Sequence, residues 1–153
     1  MDLILWRHAD AEMLQPGQDD LDRVLTPKGE RQAQRMAKWL NKRLAESTRI
    51  LVTPARRSQQ TAEALNRDVT VVSSIAPGSS VEDLLAAAGW PGASGTVLIV
   101  GHQPTLGMAA ARLLAGTDMP WTIKKAAIWW LHRRERDGEV RVSLHAVQSV
   151  EAL

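Results

Sequence analysis

The chain has 153 residues, long enough for one domain with a full core and too short for two ordinary ones. A hydrophobic fraction of 44% and a charged fraction of 24% are those of a soluble globular protein, and a formal charge of +2 with interspersed acids argues against a nucleic-acid footprint despite a pI near 9.4. Cysteine is absent, which excludes disulfides, thiolate catalysis and cysteine zinc sites.

In chain order, the apolar run Leu3-Ile4-Leu5-Trp6 ends abruptly in Arg7-His8, which reads as a buried strand delivering two polar side chains to its C-terminal end. In open α/β sheets ligands bind outside the carboxyl ends of the strands. An imidazole beside a guanidinium there suits a histidine nucleophile next to a phosphate clamp. Met13 to Val24, rich in Gln, Asp, Gly and Pro, reads as a surface loop. Thr26 is then an N-cap with Pro27 at the first helical position. Ala33, Met36, Ala37, Leu40 and Leu44 recur at helical spacing, with Lys28, Arg31, Arg35, Lys38 and Lys42 on a solvated face.

A second strand, Arg49 to Thr53, stops at Pro54, and a helix carrying Ala62 and Leu65 follows. Val69 to Ser73 is β-branched and reads as a short strand. Pro77 to Ser80 is a turn, leading to a helix that runs to about Ala88 and starts with capping-box spacing between Ser79 and Glu82. After a Trp90 to Gly95 loop, Thr96 to Val100 is a second apolar run, ending in Gly101-His102. Pro104 opens a helix through Leu114, closed by Gly116. In the C-terminal third, Ala127 to His132 and Val140 to Ala146 flank Arg136-Asp137-Gly138-Glu139, a strong hairpin signal. These elements predict a single α/β domain over 1–153. Its form is a three-layer αβα sandwich, with a mostly parallel central sheet, helices on both faces and a C-terminal antiparallel hairpin.

Two strands ending in His, together with the polar segment from Thr53 to Thr61, fall on the same edge of that sheet. They bring two imidazoles and at least two guanidiniums to one point, a set suited to a phosphoryl group of charge about minus two. The other histidines, His132 and His145, lie on the hairpin strands without a nearby His-carboxylate motif, so no metal site is read. Asp19, Asp20 and Asp22 lack calcium-loop spacing. Neither a P-loop nor a Gly-x-Gly-x-x-Gly fingerprint is present, and no nucleotide cofactor is implied. No apolar run approaches about eighteen residues and the N-terminus lacks signal-peptide features, so a cytoplasmic protein without membrane or nucleic-acid partners is expected. The six Trp, with neither Phe nor Tyr beside them, are read as core and surface packing.

Arg7-His8, Thr53-Pro54-x-x-Arg57-x-x-Gln60-Thr61 and Gly101-His102 resemble, in order and spacing, the motifs of the histidine phosphatase superfamily, also called phosphoglycerate-mutase-like. The resemblance covers nearly the whole chain. Within that superfamily, the short length and the segment from Asp22 to Gly29 are similar to the small SixA-type phosphohistidine phosphatases. The resemblance implies that His8 attacks phosphorus and becomes the phosphohistidine intermediate. It also implies that Arg7, Arg57 and His102 bind the phosphoryl oxygens, that Arg23 lies near the phosphate, and that Arg57 rather than Arg56 is the second-motif arginine. Ala9 stands where Gly is usual. If that position needs positive φ, alanine costs on the order of 1 kcal/mol; otherwise the pocket is only slightly tighter. Thr53 and Ser58 replace a Ser and an Ala.

The candidates for a general acid are Glu82, Asp83, Asp10 and Glu12, although acids in a first helical turn also serve the helix dipole. The SixA-type resemblance implies that no dedicated acid is required, because a labile P–N bond demands less help than an ester. The expected activity is that of a metal-independent, cofactor-free phosphatase working through phospho-His8 on a phosphorylated protein histidine. Two alternatives stand beside it: a phosphatase for small phosphate esters such as sugar phosphates, and a non-catalytic phosphate-binding module, for which Ala9 is the support.

Overall fold

The computed structural model describes residues 1–153. The first apolar run forms β1 (Asp2–Arg7), and five strands join it in one sheet: β2 (Arg49–Val52), β3 (Thr70–Val71), β4 (Thr96–Gly101), β5 (Ile128–Arg136) and β6 (Glu139–Gln148). Their order is β3-β2-β4-β1-β5-β6; the first four are parallel, and β5 and β6 form the antiparallel extension. The helices are α1 (Pro27–Asn41), α2 (Arg56–Glu63), α3 (Val81–Ala88) and α4 (Thr105–Ala115). None is long and apolar enough to cross a membrane.

Strand periodicity produces the layers. Successive side chains point to opposite faces, so Ile4, Trp6, Ile50, Val52, Leu98 and Val100 pack against α1 and α2 through Ala33, Met36, Leu40 and Ala62. Leu3, Leu5, Leu51, Val97 and Ile99 pack against α3 and α4 through Val81, Leu84, Leu106 and Ala109. Strands covered on both faces read as continuous apolar runs, as β1 and β4 do. The expected αβα sandwich with its C-terminal hairpin is the architecture observed.

Local chemistry sets most boundaries where the sequence places them. Thr26 Oγ1 accepts from Gly29 N at 2.9 Å, Pro27 occupies the first turn of α1, and the four basic residues of this helix and its C-cap Lys42 are exposed. Leu44 is buried although it lies beyond the helix end. Asp137 and Gly138 both adopt positive φ, the requirement of a tight hairpin turn. Both hairpin strands run longer than expected: β5 continues past the end of β1 to Arg136, opposite Glu139, and β6 runs on to Gln148, opposite Ile128.

Two expectations need correction. Helix α3 is capped by Ser80 with Asp83, one residue later than the expected Ser79 and Glu82; this register turns Val81, Leu84 and Ala88 into the core. Ser79 instead offers its carbonyl to the Thr105 hydroxyl at 2.7 Å. The strand expected from Val69 to Ser73 shrinks to Thr70–Val71 at the sheet edge, where β2 is its only neighbour and Ser73–Ile75 already turns as a 3-10 helix.

Candidate active site

Parallel register brings the two histidines together. Arg7 pairs with Gly101, so His8 and His102 each step off the sheet one residue beyond the same rung, and His8 N donates to Gly101 O at 3.1 Å. Their ring centroids are 5.3 Å apart. Val52 pairs with Val100 on the other side, which puts Thr53 beside His102 and starts α2 with Arg57 on the same edge. Arg7, His8, Arg23, Arg57 and His102 line one cavity of about 320 Å³. Ala11, Pro77, Gln103 and Lys125 complete its wall.

His8 is held in the form a nucleophile needs. Its Nδ1 lies 2.7 Å from Ala9 O, and since a carbonyl only accepts, Nδ1 carries the proton and Nε2 keeps its lone pair. Burial pushes its pKa down to about 4; the Arg57, Arg7 and Arg23 guanidiniums push the same way, and the Ala9 bond opposes them. Ala9 does not have positive φ, so the methyl group brings no left-handed strain, and its N–H donates to Thr61 Oγ1 at 3.1 Å. The conformational penalty considered for alanine here is absent, and with it the support for a non-catalytic module.

His102 is buried by the same surroundings and its pKa falls to about 3, first through burial and then through His8, Arg57 and Arg23, with Asp20 opposing. Its Nε2 lies 2.6 Å from Thr53 Oγ1 and 3.4 Å from Ser58 Oγ, so the two motif residues that depart from the family's Ser and Ala both contact this ring. Its charged form is disfavoured in the free protein. A phosphoryl dianion would raise its proton affinity, since an opposite charge favours the cation.

Arginine side chains are fixed from behind. Arg7 Nη1 donates to Ile123 O at 2.9 Å, while Arg57 Nη1 and Nη2 donate to Asp20 O at 2.8 Å and Asp20 Oδ2 at 3.0 Å. Asp20 Oδ1 also meets Arg23 Nε at 3.0 Å, so one carboxylate ties the loop before α1 to α2. Arg7 Nε, Arg57 Nε and His102 Nδ1 are buried without a protein partner. Burial lowers the Arg7 and Arg57 pKa values, yet guanidiniums stay charged in proteins. The cavity therefore combines a neutral imidazole with several fixed cations, an arrangement chemically suited to an oxyanion facing a nitrogen lone pair. At the opening of α4, Leu106 N is taken by His102 O and Gly107 N by Gln103 Oε1, so neither amide is free to meet an anion.

None of the four acids lines this cavity. Asp10 accepts from Lys125 Nζ at 2.9 Å and Thr26 Oγ1 at 2.8 Å, bonds that hold its carboxyl low. Glu82 is exposed, paired with Arg112 at 2.8 Å and also held low, first by its own backbone and then by that arginine. Asp83 Oδ2 accepts from Ser80 N in the α3 cap, and Glu12 is exposed. Asp20 and Lys125 are the site neighbours that sequence reading missed. The Asp20–Arg23 spacing was visible within the loop, but nothing local announces a bond to Arg57, and Lys125 arrives on the connection into β5. His132 and His145 lie on the hairpin, paired with Asp2 and packed on Trp130 respectively, and no group of three or more His, Asp or Glu is placed to hold a metal ion.

Known proteins resemble this chain in sequence and in fold. The family model of the histidine phosphatase superfamily, branch 1, matches residues 3–78. An uncharacterized protein from Picosynechococcus is 34% identical over 153 residues, covering 95% of this chain and 90% of its own length. The phosphohistidine phosphatase SixA of Escherichia coli is 30% identical over 129 residues, 78% of each chain. The structure of a protein histidine phosphatase SixA complexed with tungstate superposes with a TM-score of 0.78 at 26% identity, covering 98% of this chain and 97% of that one.

Proposed function

The chain belongs to the histidine phosphatase superfamily as a SixA-type phosphatase, and on that premise we propose that it hydrolyses phosphohistidine in a protein or peptide through a phospho-His8 intermediate. The observation that carries this reading is a neutral His8 with Nε2 free, in a cavity walled by cations and offering no carboxylic acid. His8 Nε2 forms a bond to phosphorus as the substrate's P–N bond breaks, and the leaving imidazole takes its proton from solvent. Water then attacks phosphorus, the bond to His8 breaks, and inorganic phosphate leaves as water's proton passes to solvent.

In this scheme Arg7, Arg57 and His102 hold the equatorial oxygens and Arg23 flanks them; removal of one such donor typically costs ~10²-fold or more. The tungstate held by the SixA relative is an oxyanion of the kind these groups suit. An alkoxide leaving group needs protonation, and losing general acid catalysis typically costs about 10² to 10⁴-fold, so the acid-poor cavity favours phosphohistidine over a sugar phosphate. The proposed setting is the cytoplasm, as the soluble composition of the sequence suggests.

A panel of a phosphohistidine peptide, a phosphoserine peptide and a sugar phosphate tests the reading with wild-type and His8→Ala proteins. The expected outcome is a kcat/KM for phosphohistidine about 10²-fold or more above the esters, with turnover lost and vanadate binding kept in His8→Ala. A higher kcat/KM for the sugar phosphate would replace the substrate class.

A further inference from the structure

Lys28, Arg31, Arg35, Lys38 and Lys42 recur every three or four residues along α1 and its C-cap. At 3.6 residues per turn they share an arc of about 80°, opposite the buried Ala33, Met36, Ala37 and Leu40. All five are exposed and none joins a salt bridge; Arg35 reaches only Leu153 O, at 3.4 Å. Glu30 is the one acid in the helix, and Arg43 extends the band, stacked over Trp39 at 4.1 Å. The chain has nineteen Lys and Arg, six of them in this band, against seventeen Asp and Glu, so its remainder is net acidic. A solvated helix face needs polarity, not one sign of charge.

This band begins one contact away from the cavity wall. Gly29 lies directly against Asp10 O, where a Cβ would come within 2.0 Å, and Asp10 pairs with Lys125 of the cavity wall at 2.9 Å. Beyond Pro77, across the mouth, the charge is net acidic instead: Glu82 and Asp118 share Arg112, and Asp83 caps α3. One flank of the mouth is therefore basic and the other is not.

We propose that the outer face of α1 docks an acidic segment of the phosphohistidine-bearing protein, its phosphohistidine in the cavity and its carboxylates along Arg31, Arg35, Lys38 and Lys42. The inference rests on the reading of the cavity as a site for protein phosphohistidine. The stripe is about 21 Å long at 1.5 Å per residue, a span that an extended segment covers in about six or seven residues. The net-acidic remainder of the surface disfavours a nucleic-acid backbone, and the apolar side of α1 is fully used by the core, which leaves nothing to insert into a lipid surface.

Two synthetic phosphohistidine peptides of equal length, one with six Glu following the phosphohistidine and one with six Gln, test this with His8→Ala protein and with that protein also carrying Arg35→Glu, Lys38→Glu and Lys42→Glu. The Glu peptide is expected to bind about tenfold more tightly than the Gln peptide, an advantage abolished by charge reversal and by 0.5 M salt. The same three reversals in the wild-type background should leave turnover of phosphoramidate unchanged. Equal binding of both peptides, or an advantage that survives reversal, overturns the docking surface. So does a DNA duplex that binds the stripe as tightly as the Glu peptide at 0.15 M salt. Tight, reversal-sensitive binding with no hydrolysis of either peptide by wild type would uphold the surface and overturn the phosphohistidine reading instead.

Discussion

His8 and His102 are buried as neutral rings, and their depressed pKa values, about 4 and about 3, set the sign of a pH effect. An unfolded histidine titrates at about 6.5, so as pH falls the unfolded chain binds protons first. The stability associated with the neutral rings is complete above that value and is lost as pH drops through about 4, on the order of several kcal/mol for the pair. Thermal melts between pH 7 and 4.5 should show Tm falling with pH, and less steeply when both residues are replaced by Asn. A flat wild-type profile would contradict burial of the neutral pair. Asp20 gives a second test, because its two possible roles have opposite signs. In Asp20→Asn the cavity becomes more positive, so a mere counter-charge would predict tighter vanadate binding. If the carboxylate holds Arg57 and Arg23 in place, affinity falls, by about tenfold, and Asp20→Glu recovers part of it. At this scale the sequence revealed the residues that end strands or repeat a motif, Arg7, His8, Arg57 and His102. It hid Asp20 and Lys125, whose partners are 37 and 115 residues away.

Elements were legible where their ends carry their own chemistry. Thr26-Pro27 and Asp137-Gly138 each specify a backbone conformation locally, and both appear where expected. Ser79 and Ser80 do not discriminate locally, since each has an acid three residues on; core packing chose the register that buries Val81 and Leu84. Ser80→Ala should therefore cost about 1 kcal/mol, the usual loss for a serine N-cap. Ser79→Ala removes a side chain that takes no part in the cap and should leave the urea midpoint close to wild type. Equal losses would place the helix start back at Ser79. The short β3 has a similar lesson: Val69 to Ser73 has strand propensity, but a sheet edge with one neighbour supplies pairing for only two ladder positions.

Across the whole molecule, parallel strands set side by side turn scattered motifs into one site. Arg7 and Gly101 share a rung of the ladder although 94 positions separate them, and the neighbouring β2 delivers Thr53 and Arg57 to the same edge. The layers and this convergence were readable from strand and helix alternation, because ligand sites of open sheets gather at carboxyl ends. How the loop before α1 folds back was not readable; its Asp20 meets α2 through tertiary contact alone. The proposed chemistry turns on a covalent bond between phosphorus and His8 Nε2. Rapid mixing of the protein with a phosphohistidine peptide, followed by intact mass analysis under non-acidic conditions, measures that bond directly. The expected result is a transient adduct of one phosphoryl group that maps to His8 and is absent in His8→Ala. Peptide turnover without any adduct on His8, or the same adduct in the His8→Ala protein, would contradict it.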